Sequence, residues 1–326
     1  MTQTAPIVDV HELSKRFGKL EAVKAVTFGV APGEIFGFLG PNGAGKTTTI
    51  NMLCTLVTPT TGTARVNGFD VVRQRSDVRR SIGLVFQSTT LDEYLSAEQN
   101  LRFHGYAYAM PADLRERRMT ELLEMVELAD RRTGSVRLYS GGMKRRLEIA
   151  RGLLHHPRVL FLDEPTLGLD PQTRRKIWDH LLALREREGV TIFLTTHYMD
   201  EAEHCDRIAV IDHGKIVGLD TPDGLKHDVG GDVITLQADD TAGAAAEIRE
   251  RYGITPTVTG DAISLQVERG EEFLPDFVRT LSRRIRSIGL RRPTLEDVFL
   301  HLTGREIRDE GIDEQQAMVA RIARWR

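Results

Sequence analysis

The run Gly40-Pro41-Asn42-Gly43-Ala44-Gly45-Lys46-Thr47 constrains this chain more than any other feature, because G-x-x-x-x-G-K-T is useful only in one structural setting. An apolar segment, Ile35 to Leu39, precedes it and the helical pattern TTTINMLC follows, so the order predicts a strand, a turn and a helix start. Glycines let successive backbone N–H groups turn toward one anion, the helix start adds partial positive charge, and Lys46 adds a formal one. The anion expected there is the β and γ phosphates of a nucleotide, with the Thr47 hydroxyl on Mg2+. Such a site needs an apolar strand ending in acids as its second half, and Val159-Leu160-Phe161-Leu162-Asp163-Glu164 supplies one. Asp163 is expected to hold Mg2+, directly or through water, and Glu164 to orient and deprotonate the attacking water. Taken alone, an apolar strand followed by two acids reads equally well as an ordinary strand end.

Around these motifs, strand-sized apolar runs at 35–39, 82–86, 159–162, 191–195 and 208–212 alternate with longer helical patterns, the rhythm of an α/β domain. The stretch of about 97–154, in which Met119, Leu122, Leu123, Val126 and Leu128 recur at mostly helical spacing, predicts an inserted helical subdomain. Beyond it the pattern changes: strands at 233–238, 255–259, 262–268 and 285–290 with helices at 242–251 and 271–284 give βαββαβ, the split, ferredoxin-like α+β order. A last helix is expected with Thr294 as N-cap and Asp297 in its first turn. The expected organisation is a domain at 1–224, a smaller one at 225–306 and a tail at 307–326. In the tail Met318, Ile322 and Trp325 share a helical face, which suits a frayed end or a helix packed on a partner copy better than a membrane anchor. The basic runs Arg115 to Arg118 and Arg283 to Arg286 read as solvated helix faces.

Composition closes off several classes. Lys and Arg number 44 against 47 Asp and Glu, so no general basic surface is available and nucleic acid is not an expected partner. No apolar run approaches the roughly 18 to 20 residues that span a bilayer. The N-terminal segment lacks an apolar core with a cleavage site, and the chain is expected to stay where it is made. Cys54 and Cys205 lie far apart and outside any C-x-x-C, which indicates neither a disulfide framework nor a zinc site.

Between the two phosphate-site motifs stands Leu138-Tyr139-Ser140-Gly141-Gly142-Met143-Lys144-Arg145-Arg146. With this loop in this order, the sequence resembles the ATP-binding-cassette ATPases over about residues 7–222. The resemblance implies a P-loop NTPase cassette: a RecA-like core with a helical subdomain, working as a homodimer on ATP and Mg2+. Two copies would face head to tail, so that Tyr139, Ser140, Gly141 and Gly142 of one close over the γ phosphate held by Gly40 to Thr48 of the other. Phe17 then matches the aromatic that stacks on adenine, where an isolated Phe would be core. Gln87, after the strand IGLVF, matches a glutamine that touches Mg2+ or water and reports nucleotide state. Asp170, in Leu167-Gly168-Leu169-Asp170, matches a loop between protomers, and His197, in LTTHYMDEAE, matches a histidine that contacts the γ phosphate. By itself His197 would be a structural histidine at a strand end. The implied catalytic set is thus Glu164, His197, Lys46 and Gln87, and the implied metal set Thr47, Gln87 and Asp163. Tyr139 and Met143 depart from the usual Leu and Gln, and the loop before Asp170 lacks its usual Ser-Ala.

The YSGGM loop with its basic run, HYMDEAE, and the ending RPTLEDVFLHLTGR resemble the daunorubicin-resistance type of drug and lipid exporters, extending the likeness to about Arg305. That resemblance implies a separate multi-span permease, docked near residues 87–95, and a cytoplasmic location against the inner face of the cell membrane. Exporters of sodium ions or polysaccharides carry similar cassettes, and methionine-type importers also have a βαββ-containing C-terminal domain. Cassettes acting on ribosomes or chromosomes are disfavoured by the single cassette and the short separation of Lys46 from Asp163. A sensor that does not hydrolyse is disfavoured by the presence of both Glu164 and His197. The C-terminal domain is expected to brace a dimer rather than to bind a ligand.

Overall fold

The computed structural model describes residues 5–304. Two units are distinguished, dividing between Leu219 and Asp220. The first runs β1 (Val8–Phe17), β2 (Leu20–Val30), β3 (Ile35–Leu39), α1 (Lys46–Leu53), β4 (Thr61–Val66), β5 (Phe69–Asp70), α2 (Arg75–Ser81), β6 (Ile82–Val85) and α3 (Ala97–Ala107). It continues through α4 (Ala112–Met125), α5 (Gly141–Leu153), β7 (Val159–Asp163), α6 (Pro171–Glu188), β8 (Thr191–Thr196), α7 (Met199–Ala202), β9 (Arg207–Asp212) and β10 (Lys215–Asp220).

Strands β3, β7 and β8 are short and buried on both faces, which is why they read as continuous apolar runs without alternation. They form the middle of a sheet ordered β10-β9-β3-β8-β7-β6, with β9, β3, β8, β7 and β6 paired in parallel. A parallel sheet collects the C-terminal ends of its strands along one edge, and in open α/β sheets ligands bind there. The loop at 40–45 follows β3 and the acids follow β7 on that edge. An antiparallel sheet, β2-β1-β4-β5, packs with it into one core. At its centre the rings of Phe28, Phe36, Phe38, Phe161 and Phe193 stand 5.3 to 6.0 Å apart where they meet. That geometry adds to the burial of five large apolar side chains.

The stretch at 97–154 is helical, as its spacing predicts. α3 opens on a capping box, in which Ser96 Oγ accepts from the Gln99 amide and Gln99 Oε1 from the Ser96 amide. Met119, Leu122, Leu123, Val126 and Leu128 are all buried, although α4 ends at Met125. The basic run on α4 departs from expectation. Arg115 and Arg118 are only 6% and 4% exposed. Arg118 holds Glu188 of α6 with two hydrogen bonds of 2.8 and 2.6 Å, and the Arg115 guanidinium lies 4.1 Å above the Tyr106 ring. Both partners are remote from the local helical pattern, so a run of charges in sequence does not separate a solvated face from a buried clamp. Arg118→Ala is expected to cost about 3 kcal/mol by stranding the Glu188 carboxylate, with Arg118→Met, which keeps the buried apolar stem, costing somewhat less. Urea midpoints measure it, and an unchanged midpoint would mean that the pair carries no weight.

The second unit is α8 (Pro222–Asp228), β11 (Asp232–Ala238), α9 (Thr241–Tyr252), β12 (Thr257–Thr259), β13 (Ala262–Val267), α10 (Gly270–Thr280), β14 (Ile285–Arg291) and α11 (Leu295–Thr303). Its sheet, β12-β13-β11-β14, is antiparallel throughout, the arrangement of a split βαββαβ fold. Ile234, Leu236, Ile248, Ile263, Leu265 and Phe277 fill its core. The last helix has the expected start: Thr294 caps α11 and Asp297 returns the bond. One helix is shorter than the spacing predicts. α10 stops at Thr280 because Leu281 turns into the core and the Ser282 amide donates to Glu247 of α9 at 2.8 Å. Arg283 and Arg286 therefore lie outside any helix, exposed and paired with Asp240 and Asp239. No helix among the described residues is long and apolar enough to cross a membrane. The face expected at Met318, Ile322 and Trp325 lies outside the described residues.

Candidate functional site

The loop from Gly40 to Gly45 links β3 to α1, and its glycines answer to space as well as to dihedral angle. A Cβ on Gly40 would lie 2.3 Å from the Ile211 carbonyl oxygen, and one on Gly45 would lie 2.6 Å from that of Ala22, at a φ of 109°. Only glycine fits either place. Asn42, Gly43 and Thr47 are exposed at the mouth of this loop, whereas Ala44 is buried beneath it and Pro41 and Thr48 are half-buried. Lys46 is 4% exposed; its Nζ donates to the carbonyls of Gly40 at 2.7 Å and Pro41 at 3.2 Å, and pairs with Glu164 Oε1 at 3.1 Å.

The acids at the end of β7 face this lysine. Thr47 Oγ1 donates to Asp163 Oδ1 at 3.3 Å, which brings the hydroxyl and the carboxylate of the expected metal set together. Glu164 is the meeting point of the other groups: besides Lys46, Gln87 Nε2 lies 3.5 Å and His197 Nδ1 3.3 Å from its Oε2. Residues from the ends of β3, β6, β7 and β8 thus converge although they are far apart in sequence. Burial pushes the Glu164 carboxyl upward, but the His197 contact and the Lys46 charge more than offset it, leaving it below the usual carboxylate range. At Asp163 burial prevails over the hydrogen bonds from Thr195 and Thr47, and its carboxyl stands above its ordinary value. The Lys46 ammonium is lowered by burial, against the opposing pull of Glu164. Two buried carboxylates and one buried ammonium leave an excess of negative charge that a divalent cation would offset, beside a glycine loop and helix start of the kind that takes phosphate.

The chain matches the family model for the ABC transporter over residues 23–167. It is 43% identical to the daunorubicin resistance ATP-binding protein DrrA3 of Streptomyces coeruleorubidus, over 94% of this chain and 98% of that one. The chain belongs to the ABC transporter ATPases. It is also 40% identical to the Nod factor export ATP-binding protein I of Ralstonia nicotianae, over 94% of this chain and 96% of the relative. Among solved structures, the dimeric post-hydrolysis state of the ATP-binding cassette MJ0796, bound to ADP and Pi, aligns with a TM-score of 0.59 at 30% identity. That alignment covers 66% of this chain and 98% of the other.

Other expected site residues of the ABC ATPase stand apart from Glu164. Ser140 caps α5, its Oγ accepting from the Met143 amide at 3.3 Å, and Ser140 and Gly141 are exposed. Gly142 is buried, and a Cβ there would strike Thr173. Asp170 caps α6 through Thr173, accepting from its amide at 3.0 Å and its hydroxyl at 2.6 Å. Among the described residues, no hydrogen bond or ion pair joins Ser140, Gly141 or Asp170 to the loop at 40–47. Phe17 is 48% exposed at the end of β1, on the hairpin whose Ala22 abuts Gly45. The Tyr139 side chain differs from expectation. It is 7% exposed and its hydroxyl donates to the Arg131 carbonyl at 2.7 Å, so that group is committed to holding the loop.

Residues that motif reading passes over complete the site. Thr195 Oγ1 donates to Asp163 Oδ1 at 2.6 Å and accepts from the Glu164 amide at 3.0 Å. Thr166 donates to Glu201, whose carboxyl burial raises to about 7. A strand-end threonine carries no motif of its own; the pairing of β7 with β8 is what sets Thr195 opposite Asp163.

Proposed function

We propose that this chain is the ATP-hydrolysing engine of a two-component exporter. Two copies close on two ATP molecules and drive a separate multi-span permease. The observation that carries the reading is the convergence of Lys46, Gln87 and His197 on the Glu164 carboxylate, beside the Thr47–Asp163 contact. The glycine loop and the first turn of α1, Gly40 to Thr48, bind the phosphates through backbone N–H groups. Lys46 moves its charge from Glu164 to the β and γ oxygens, and Glu164 then accepts the proton of the attacking water. His197 orients the γ phosphate, Gln87 senses it, and the exposed Phe17 stacks on the adenine. Thr47, Asp163 and Gln87 are the residues that would hold Mg2+, which when bound supplies positive charge to offset the phosphate oxygens.

The exposed Ser140 and Gly141, set apart from the chain's own phosphate loop, suit a site completed by a second copy, with Tyr139 contributing through its backbone. Asp170 lies at that same junction. The unit after Leu219 braces the dimer. Relatives named for daunorubicin resistance and for Nod factor export point to drug-like or lipid-like cargo chosen by the permease. Residues 87–95, with Tyr94 84% exposed, are its docking place, which sets the protein on the inner face of the cell membrane.

Coexpression with a multi-span permease, followed by detergent extraction and purification through a tag on the permease, tests this reading. The chain is expected to co-purify and its ATP turnover to rise with the permease present. Absence of both would overturn the transporter reading.

A further inference from the structure

α5 begins at Ser140, and the side chain it sends into the interior one turn later is Arg145, which is 6% exposed. Its Nε donates to the Pro165 carbonyl and its Nη1 to the Phe86 carbonyl and to Glu148 Oε2 at 3.2 Å. Its Nη2 donates to the carbonyls of Asp163 at 3.1 Å and Glu164 at 3.0 Å. One guanidinium therefore holds three successive carbonyls at the end of β7 and the residue that precedes Gln87. Glu148, 2% exposed and one turn further along α5, takes the amide of Thr90 at 2.8 Å, so both ends of the Gln87 segment are tied to this helix.

The backbone at Glu164 needs such a restraint. Its φ is 47°, in the left-handed region that is unfavourable for a residue with a Cβ and persists only where the surroundings over-determine it. On the amide side, Thr195 takes the Glu164 N–H. On the carbonyl side, Arg145 holds Glu164 and both its neighbours. That backbone conformation brings the carboxylate within reach of Lys46, Gln87 and His197.

We infer that Arg145 is a positioning residue for hydrolysis: it fixes the turn Asp163-Glu164-Pro165 and couples that turn to the helix carrying Ser140 and to the strand end before Gln87. The inference rests on the reading of Glu164 as the base. Among the described residues, Arg145 meets Asp163 and Glu164 only at their main-chain carbonyls and makes no hydrogen bond to the side chains of the metal set or to the loop at 40–47. A lysine could not replace it, because a single ammonium lacks the planar fork that serves four carbonyls and a carboxylate at once. Movement of α5 when a partner engages Ser140 would be felt at Glu164 through this one group.

The test compares Arg145→Lys, Glu164→Gln and the double variant in the full chain. Arg145→Lys is expected to lower kcat about ten- to a hundredfold with KM for ATP within about twofold, the signature of a misplaced reacting group. In the double variant, turnover should be no lower than in Glu164→Gln alone, because a residue that acts through the base has nothing left to act on. Should Arg145→Lys not fold, Glu148→Gln removes the charged partner of the guanidinium; about a threefold or larger loss of kcat with the same non-additivity is expected. A wild-type kcat in the folded variant, a loss confined to KM, or losses that multiply in the double variant would overturn the proposal. A wild-type rate for Glu164→Gln would remove both readings; a wild-type rate for Arg145→Lys beside an inactive Glu164→Gln would remove only this one.

Discussion

Glu164→Gln is expected to slow ATP turnover by about two to four orders of magnitude while nucleotide binding persists. The substitution keeps the shape of the side chain and its contact with Gln87, and it removes the capacity to take a proton. Glu164 is well suited to that task. It is 6% exposed, held below the usual carboxylate range once the effects of His197 and Lys46 outweigh burial, and hence ionised at neutral pH. Its loss also releases Lys46, whose Nζ would keep the carbonyls of Gly40 and Pro41 as acceptors and would favour a phosphate more strongly. ATP affinity should therefore stay the same or rise, and ATP-bound dimers should accumulate because opening depends on hydrolysis. Steady-state turnover, equilibrium binding of a fluorescent ATP analogue and light scattering in ATP measure the three effects. Hydrolysis at the wild-type rate would sink the assignment.

Stability should fall as the pH drops from 7 to 5, through a cluster that, among the described residues, shares no hydrogen bond with the loop at 40–47. His104 of α3 and His155, just after α5, flank the ring of Tyr108, with ring centres 4.8 and 3.8 Å from it. Burial drives His104 down to about 3 and His155 down to about 4, from an ordinary value of 6.5. Among the described residues, His104 Nε2 and His155 Nδ1 are buried without a hydrogen-bond partner. The unfolded chain takes up these protons near pH 6.5 and the folded chain refuses them until far lower. Their contribution is thus complete above pH 6.5 and is lost as the pH falls below it. Each unit of pH in that window costs about 1.4 kcal/mol per histidine, so the pair removes about 4 kcal/mol by pH 5, while protonation of Glu201, which burial raises to about 7, returns about 2 kcal/mol over the same window and leaves a net loss of about 2 kcal/mol. Urea midpoints at pH 7.5 and 5 measure the net loss, and His104→Phe, which removes about 2 kcal/mol of the histidine effect, should bring it close to zero. A midpoint indifferent to pH, or a slope that His104→Phe leaves intact, would refute the role of the cluster.

Much of the site was legible because its motifs are local. A loop of glycines ending in Lys46 and Thr47 has to sit between a strand and a helix, and the acids have to follow an apolar strand, so both halves could be read from neighbours in sequence. The βαββαβ order was legible for the same reason: strand and helix periods are properties of short windows. Contacts between windows were not. Arg115 and Arg118 look like a solvated charge run, and only Tyr106 and Glu188, brought in by packing, make them buried clamps. α10 has helical spacing to 284 and ends at Thr280 because Glu247, on another helix, captures the Ser282 amide. Tyr139 stands beside the exposed Ser140 and Gly141, yet its hydroxyl serves the Arg131 carbonyl.

By itself, the sequence determined the chemical vocabulary of this ABC ATPase: a phosphate cradle, two acids, a glutamine, a histidine and a capped second loop. Those follow from residue types whose requirements are local, such as glycine where no Cβ fits and an acid where a strand ends. The tertiary structure alone decided what the vocabulary is arranged to do. It placed Glu164 within reach of Lys46, Gln87 and His197, set Thr195 against Asp163 through strand pairing, and hung the backbone of the turn Asp163-Glu164-Pro165 on Arg145. Hydrogen bonds and ion pairs act over a few ångströms regardless of separation along the chain, and only folding brings groups dozens of residues apart within that range.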